Sequence, residues 1–222
     1  YLCSPSNPQG AVATREYWAH LMALAEKHDF KIFADECYSE IYRNTLPVGA
    51  LTVAHETGTD PERVVLFNSL SKRSNLPGLR SGLVASGPET IKRMKTLRNY
   101  AGSPLPMPLQ RVAEQVWAEE THVAENRALY QEKYALADDI LNGVPGYQGP
   151  EAGYFLWLPE DDGEEAAMKL WIETGVRVLP GAYLGRDGDG ENPGKPYIRA
   201  ALVAPKNQTA QGLTLLRDCL YK

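Results

Sequence analysis

Lys72 lies in the stretch LFNSLSKRSNLPGLR (66–80), where an apolar run ends in a turn carrying Ser69, Ser71 and, eight residues beyond the lysine, Arg80. A lysine in a loop is ordinarily a solvated charge. Here the two hydroxyls, the Asn-to-Gly bend (75–78) and Arg80 supply the donors that an anionic group such as a phosphate needs, with the Lys72 amine beside it. DECYSEIY (35–42) adds a carboxylate, Asp35, at the end of the apolar KIFAD, and a phenol, Tyr38, three residues on. Acidic residues at a strand end often serve only a turn or a cap, and Tyr38 could belong to the core. An amine set between a carboxylate and an anion site is nevertheless the equipment of an enzyme that holds a carbonyl compound through a lysine. SNPQG (6–10) reads as a turn whose Asn-Pro step could put the Asn7 amide at a strand rim through a cis peptide. Arg199, in YIRAALV, would by itself be read as a strand arginine in a salt bridge.

The elements that must position these residues follow from apolar patterning. Residues 1–3, 31–35, 64–68 and 82–86 read as short buried strands, and 14–28 reads as a helix with Tyr17, Leu21, Leu24 and His28 at helical spacing. Alternation of strands and helices predicts an α/β fold with a mostly parallel sheet and helices on its faces. In such sheets ligands sit beyond the carboxyl ends of the strands, the rim where Asp35, Ser69, Ser71 and Lys72 fall. A basic helix is predicted over 88–100, and the Pro-rich 102–108 breaks it. From Leu109, the residues Val112, Val116, Val123, Tyr130, Tyr134 and Leu141 fit one long helix or two in tandem, joining two domains. Strand 154–158, helix 164–174, strand 176–180, a Gly/Asp-rich surface loop (185–194), strand 197–203 and a last helix predict a smaller α+β unit. The expected division is thus 1–108 for a larger domain, 109–141 for a helical connection and 142–222 for a C-terminal domain.

Composition narrows the partners. The 222 residues are 43% hydrophobic, enough for a substantial core. A net charge of −5 argues against a broad nucleic-acid surface, and no run of 18 apolar residues offers a membrane span. Cys3, Cys37 and Cys219 are odd in number and scattered, which points to a reducing cytoplasm rather than a disulfide framework. His20, His28, His55 and His122 lack ligand spacing, so no metal is expected. Asp187-Gly-Asp-Gly-Glu resembles the start of a calcium loop without its later ligands and is read as a turn. The chain opens on YLCSPSNPQG, with neither an initiator Met nor a signal peptide, and is expected to be the inside of a longer protein.

SNPQG, DECYSEIY, SLSKRSNLPGLRSG and YIRAALV, in this order and spacing across essentially the whole chain, resemble the fold type I, class I/II pyridoxal-phosphate aminotransferases. The resemblance implies an N-terminally truncated large domain of that fold plus the small C-terminal domain. It implies pyridoxal 5'-phosphate as cofactor, Lys72 as the Schiff-base lysine and Asp35 as partner of the pyridinium nitrogen. It matches Asn7 and Tyr38 to the residues bonding the ring hydroxyl, and Ser69 and Arg80 to the phosphate ligands. Arg199 matches the arginine clamping the substrate α-carboxylate, with Asn7 beside it, a task its planar fork suits. Implied partners are an amino acid, a keto acid and a second copy of the chain in a homodimer. Finer detail in YLCSPSNPQGAV, FADECYSEIYR and GVRVLPGAYLGR is similar to the N-succinyldiaminopimelate aminotransferase group of bacterial lysine biosynthesis. A complete member also has a long N-terminal part with a phosphate turn and an aromatic stacked on the ring, so these 222 residues alone are expected to bind cofactor weakly or not at all and to turn over poorly. A lyase or decarboxylase on the same scaffold, or a regulator's sensor domain, are the competing readings.

Overall fold

The computed structural model describes residues 1–188 and 190–222. The turn expected at 187–191 includes Asp189, which lies outside the described residues. The chain divides into two compact units, one of Tyr1–Ser6 with Ala11–Ala128 and one of Asn7–Gly10 with Leu129–Lys222.

In the first unit, β1 (Leu2–Cys3), β2 (Ile32–Asp35), β3 (Val64–Ser69) and β4 (Gly82–Ala85) form one sheet in that order. The first three strands are parallel, in a register that aligns Cys3 with Asp35 and Asp35 with Phe67. Three carboxyl ends therefore share one rim. β4 runs antiparallel to β3, with Ser69 opposite Gly82. Its link to β3 holds only the one-turn helix α3 (Leu70–Arg73) and a 3-10 turn (Pro77–Leu79), without the full crossover helix a parallel return requires.

Helix α1 (Arg15–His28) starts where the Thr14 hydroxyl accepts the Tyr17 amide and ends on Asp29 at φ 53°. Its buried stripe is Trp18, Met22 and Ala25, packed on Ile32, Ala34 and Val64. That corrects the expected stripe by one position: Tyr17 is half exposed, and Leu21 packs only at the core's edge. The indole of Trp18 offers far more apolar surface than the phenol before it, and the helix rotates to bury it.

Helix α2 (Ala50–Thr57), absent from the sequence expectations, completes this core with Val53 and Ala54. Gly49 precedes it without a capping side chain. The cap comes instead from the buried Glu36, whose Oε1 accepts the Ala50 amide at 2.7 Å. Helix α4 (Pro88–Ala101) is capped the same way by the distant Glu62, which accepts the amides of Glu89 and Thr90. A side-chain carboxyl at each N-terminus accepts the orphan amides, and the charge of Glu62 also meets the helix dipole. The two-in-tandem alternative after Leu109 is realised as α5 (Met107–Ala118) and α6 (Thr121–Ile140).

In the second unit, β5 (Phe155–Pro159), β6 (Leu179–Pro180) and β7 (Tyr197–Ala201) make an antiparallel sheet in the order β5-β7-β6, covered by α7 (Gly163–Thr174) and α8 (Lys206–Leu220). Only Leu179 and Pro180 of the expected 176–180 strand pair with β7. Leu156, Leu158, Leu170, Ile198, Leu202 and Leu216 are fully buried. Gly163 sits so close to β7 that a Cβ there would overlap the Tyr197 carbonyl. Among the described residues no helix is long and apolar enough to cross a membrane.

Candidate active site

Asp35 is the last residue of β2, and strand geometry sets its carboxylate at the rim. Its Oδ1 accepts the Cys37 amide at 3.1 Å, and its Oδ2 accepts the Tyr1 hydroxyl at 2.5 Å. The first bond closes a local turn that lifts the chain off the sheet and carries it to the buried Tyr38. Lys72 reaches the same place from the other side. β3 ends at Ser69, α3 follows, and the Lys72 ammonium lies 5.9 Å from the centroid of the Tyr38 ring. The Lys72 amine and the Tyr38 ring therefore approach one another beyond the adjoining ends of β2 and β3, the first of which Asp35 closes.

Ser69 caps α3 and joins the rim to its far side. Its Oγ accepts the Ser71 amide at 3.1 Å and lies 2.9 Å from Ser71 Oγ and 3.1 Å from the Ser81 carbonyl. The Leu70 amide donates to that same carbonyl, so the segment after Arg80 is sewn to the start of α3. Arg80 itself is exposed at φ 56°, with Nη1 on the Pro77 carbonyl at 2.8 Å. A left-handed arginine costs conformational energy, and such residues concentrate at functional segments.

Burial and neighbouring charge act on the groups around Asp35. Desolvation, then the bond and charge of Asp35, push the Cys37 thiol up to about 12, with Lys72 acting in the opposite direction. The Tyr1 phenol is raised first by its hydrogen bond to Asp35, then by burial and charge. Burial lifts the Glu36 carboxyl to about 7, although its bond to Ala50 favours the charged form. Cys37 and Tyr1 are thus held protonated near neutral pH.

Asn7 and Arg199 belong to the second unit. Arg199, from β7, donates through Nη1 to Asn7 Oδ1 at 2.9 Å, and its guanidinium lies 4.2 Å from the Phe155 ring centroid. Stacking and the amide fix the plane of the fork. The Asn7–Pro8 peptide is cis, as is Ser4–Pro5. Sequence reasoning passed over Tyr1 and Glu36, which orient Asp35 and the loop after it through contacts 34 and 14 residues away. No local pattern signals either.

The family model for aminotransferase class I and II matches residues 1–206. A transaminase of Streptomyces rimosus, 4-dedimethylamino-4-oxo-anhydrotetracycline transaminase OxyQ, is 31% identical over 95% of this chain and 57% of its own length. The LL-diaminopimelate aminotransferase of Dehalococcoides mccartyi (strain 195) is 30% identical over 96% of this chain and 54% of its own. Among solved structures, an aminotransferase from Neisseria meningitidis superposes with a TM-score of 0.93 at 40% identity, covering 98% of this chain and 56% of that one. A probable N-succinyldiaminopimelate aminotransferase from Thermus thermophilus gives 0.84 at 29% identity, over 98% and 57%. The chain spans about half the length of the curated relatives it matches. With its strand order, its rim residues and this match across most of its length, the chain belongs to the class I and II aminotransferases, a pyridoxal-phosphate-dependent family.

Proposed function

We propose that the protein containing this chain is an aminotransferase in which Lys72, Asp35, Tyr38, Ser69 and Arg80 hold pyridoxal 5'-phosphate, while Arg199 and Asn7 receive the substrate carboxylate. The observation that carries this reading is the approach of the Lys72 amine to the Tyr38 ring beyond the neighbouring ends of β2 and β3, with Asp35 the last residue of β2. The donor set fits the cofactor group by group: a carboxylate for a ring nitrogen that must stay protonated, a phenol for a ring oxygen, an amine for a carbonyl, and hydroxyls and a guanidinium for a phosphate.

When bound, the cofactor supplies an electron sink for a carbanion at the substrate α-carbon. Everything else falls to the chain. Asp35 keeps the proton on the ring nitrogen. Ser69 and Arg80 anchor the phosphate through hydrogen bonds to its charged oxygens. The Lys72 Nζ would take a proton from the α-carbon of the amino donor and, in the reverse half-reaction, would give one to the α-carbon of the acceptor, transfers that need the amine within hydrogen-bond reach. Arg199 sets the orientation of the α-carboxylate through two parallel N–H bonds, and Asn7 keeps the fork in plane.

Glutamate as amino donor and N-succinyl-2-amino-6-ketopimelate, a lysine precursor, as acceptor are the substrates of this reading. It is supported by relatives named for diaminopimelate or its N-succinyl form. The reading extends to a cytoplasmic homodimer, which light scattering on a sizing column tests. The activity is tested by following 2-oxoglutarate released from glutamate with each candidate acceptor in turn. Release dependent on the succinylated keto acid supports the assignment. Transfer to other keto acids alone overturns the substrate, and ammonia or carbon dioxide in place of 2-oxoglutarate overturns the reaction in favour of a lyase or decarboxylase.

A further inference from the structure

Arg73, the residue after Lys72, is 5% exposed. Its guanidinium closes on a junction far along the chain. Nη1 donates to Ser74 Oγ at 3.2 Å and to the Val116 carbonyl at 3.1 Å, and Nη2 to the carbonyls of Trp117 (3.4 Å) and Glu119 (3.5 Å) and to the carboxylate of Glu120. The guanidinium also lies 5.1 Å from the centroid of the Trp117 ring. Helix α5 ends at Ala118, so Val116 and Trp117 present carbonyls of its last turn; that of Val116 also accepts the Glu119 amide at 3.4 Å. Arg73 caps them with a planar fork and places a positive charge at the negative end of the dipole.

The next helix is tied to the same turn. Glu119 accepts the amides of Thr121 (2.5 Å) and His122 (3.2 Å) at the start of α6, the His122 Nε2 lies 2.8 Å from Ser74 Oγ, and Asn126 donates to the Lys72 carbonyl at 3.3 Å. Helix α3 has only four residues, too few to hold itself by its own hydrogen bonds. Leu70, fully buried, pins its first residue, and Arg73 pins its last. Consecutive helical side chains diverge by about 100°. With Arg73 committed to the α5–α6 junction, Lys72 is directed to the side where Tyr38 lies.

We infer that Arg73 is a positioning residue for Lys72: by capping α5 it sets the direction from which the amine approaches its carbonyl partner. The inference rests on the reading of Lys72 as the cofactor-bearing lysine. The test measures, in the full chain, the initial rate of borohydride-trapped pyridoxal phosphate at Lys72 by peptide mapping, divided by the rate at the exposed-helix Lys27 and normalised to the folded fraction from circular dichroism. Arg73→Met is expected to lower the Lys72:Lys27 ratio about tenfold or more, since misdirection of a reacting group is costly. Arg73→Lys, which keeps the charge and loses the fork, falls between. A merely structural role would lower the melting temperature and leave the ratio within about twofold of wild type, and that result overturns the inference. Should Arg73→Met fail to fold, Arg73→Lys decides, and a wild-type ratio in it overturns the inference. Absence of any preference for Lys72 in the wild type overturns the functional reading instead, and the inference falls with it.

Discussion

Replacing Glu36 with glutamine should change how the protein's stability depends on pH. Glu36 is buried beside Asp35, with its Oε1 on the Ala50 amide, and burial raises its carboxyl to about 7 against 4.5 for an unperturbed group. Between those values the folded state binds a proton that the unfolded state has released, so unfolding becomes easier as pH rises through this window. The stability in question is fully present below about pH 4.5 and is lost as pH passes 7. At about 1.4 kcal/mol per pH unit, the window bounds the loss at about 3 kcal/mol. Glutamine cannot ionise but retains an oxygen for the Ala50 amide. Urea unfolding followed by tryptophan fluorescence at about pH 5, 6, 7 and 8 should show wild type and Glu36→Gln nearly equal at the lowest pH, and the variant the more stable at the highest by up to about 3 kcal/mol. Taking the difference between the two proteins cancels every other titrating group except Asp35, whose charge acts on Glu36. A difference independent of pH, or a variant weaker than wild type at the highest pH, would refute the assignment of a buried, proton-holding carboxyl.

Trp18→Ala should cost about 3–5 kcal/mol in the same unfolding assay, and Trp18→Phe distinctly less, because the buried indole N–H that phenylalanine removes has no partner among the described residues. Gly163→Ala should destabilise the second unit by about 1–3 kcal/mol, visible as a lower thermal midpoint, since its Cβ would enter the Tyr197 carbonyl and neither backbone can give way. Arg199→Lys should raise the amino acid concentration needed for half-maximal rate about tenfold or more, because an ammonium cannot span two carboxylate oxygens while bonded to Asn7. An unchanged requirement would remove Arg199 from substrate binding.

What the sequence disclosed was whatever is written locally. The runs at β2 and β3 are apolar through their length and end in Asp35 and in Ser69-Leu-Ser-Lys72, so strand and rim chemistry appear in one stretch. Features held by distant partners were hidden. Helix α2 has no capping residue of its own and depends on Glu36, fourteen positions earlier. Arg73 looks like one more basic residue in a polar turn until α5 and α6 bring their carbonyls to it. Helix α1 was legible as a helix but not to the residue: Trp18 and Tyr17 compete for the same apolar arc, and only packing on Ile32 and Ala34 decides between them. β4 shows the same limit for strand direction, which the short connection from β3 sets rather than the composition of the strand.

The most direct test of Lys72 as the anchor of the cofactor is the location of the label. The protein is incubated with excess pyridoxal phosphate, reduced with borohydride, digested and mapped by mass spectrometry, with Asp35→Asn and Lys72→Ala alongside. Label concentrated on Lys72, reduced in Asp35→Asn and not transferred to another lysine in Lys72→Ala, is the predicted result. Label spread evenly over Lys72, Lys92 and Lys95 would contradict it.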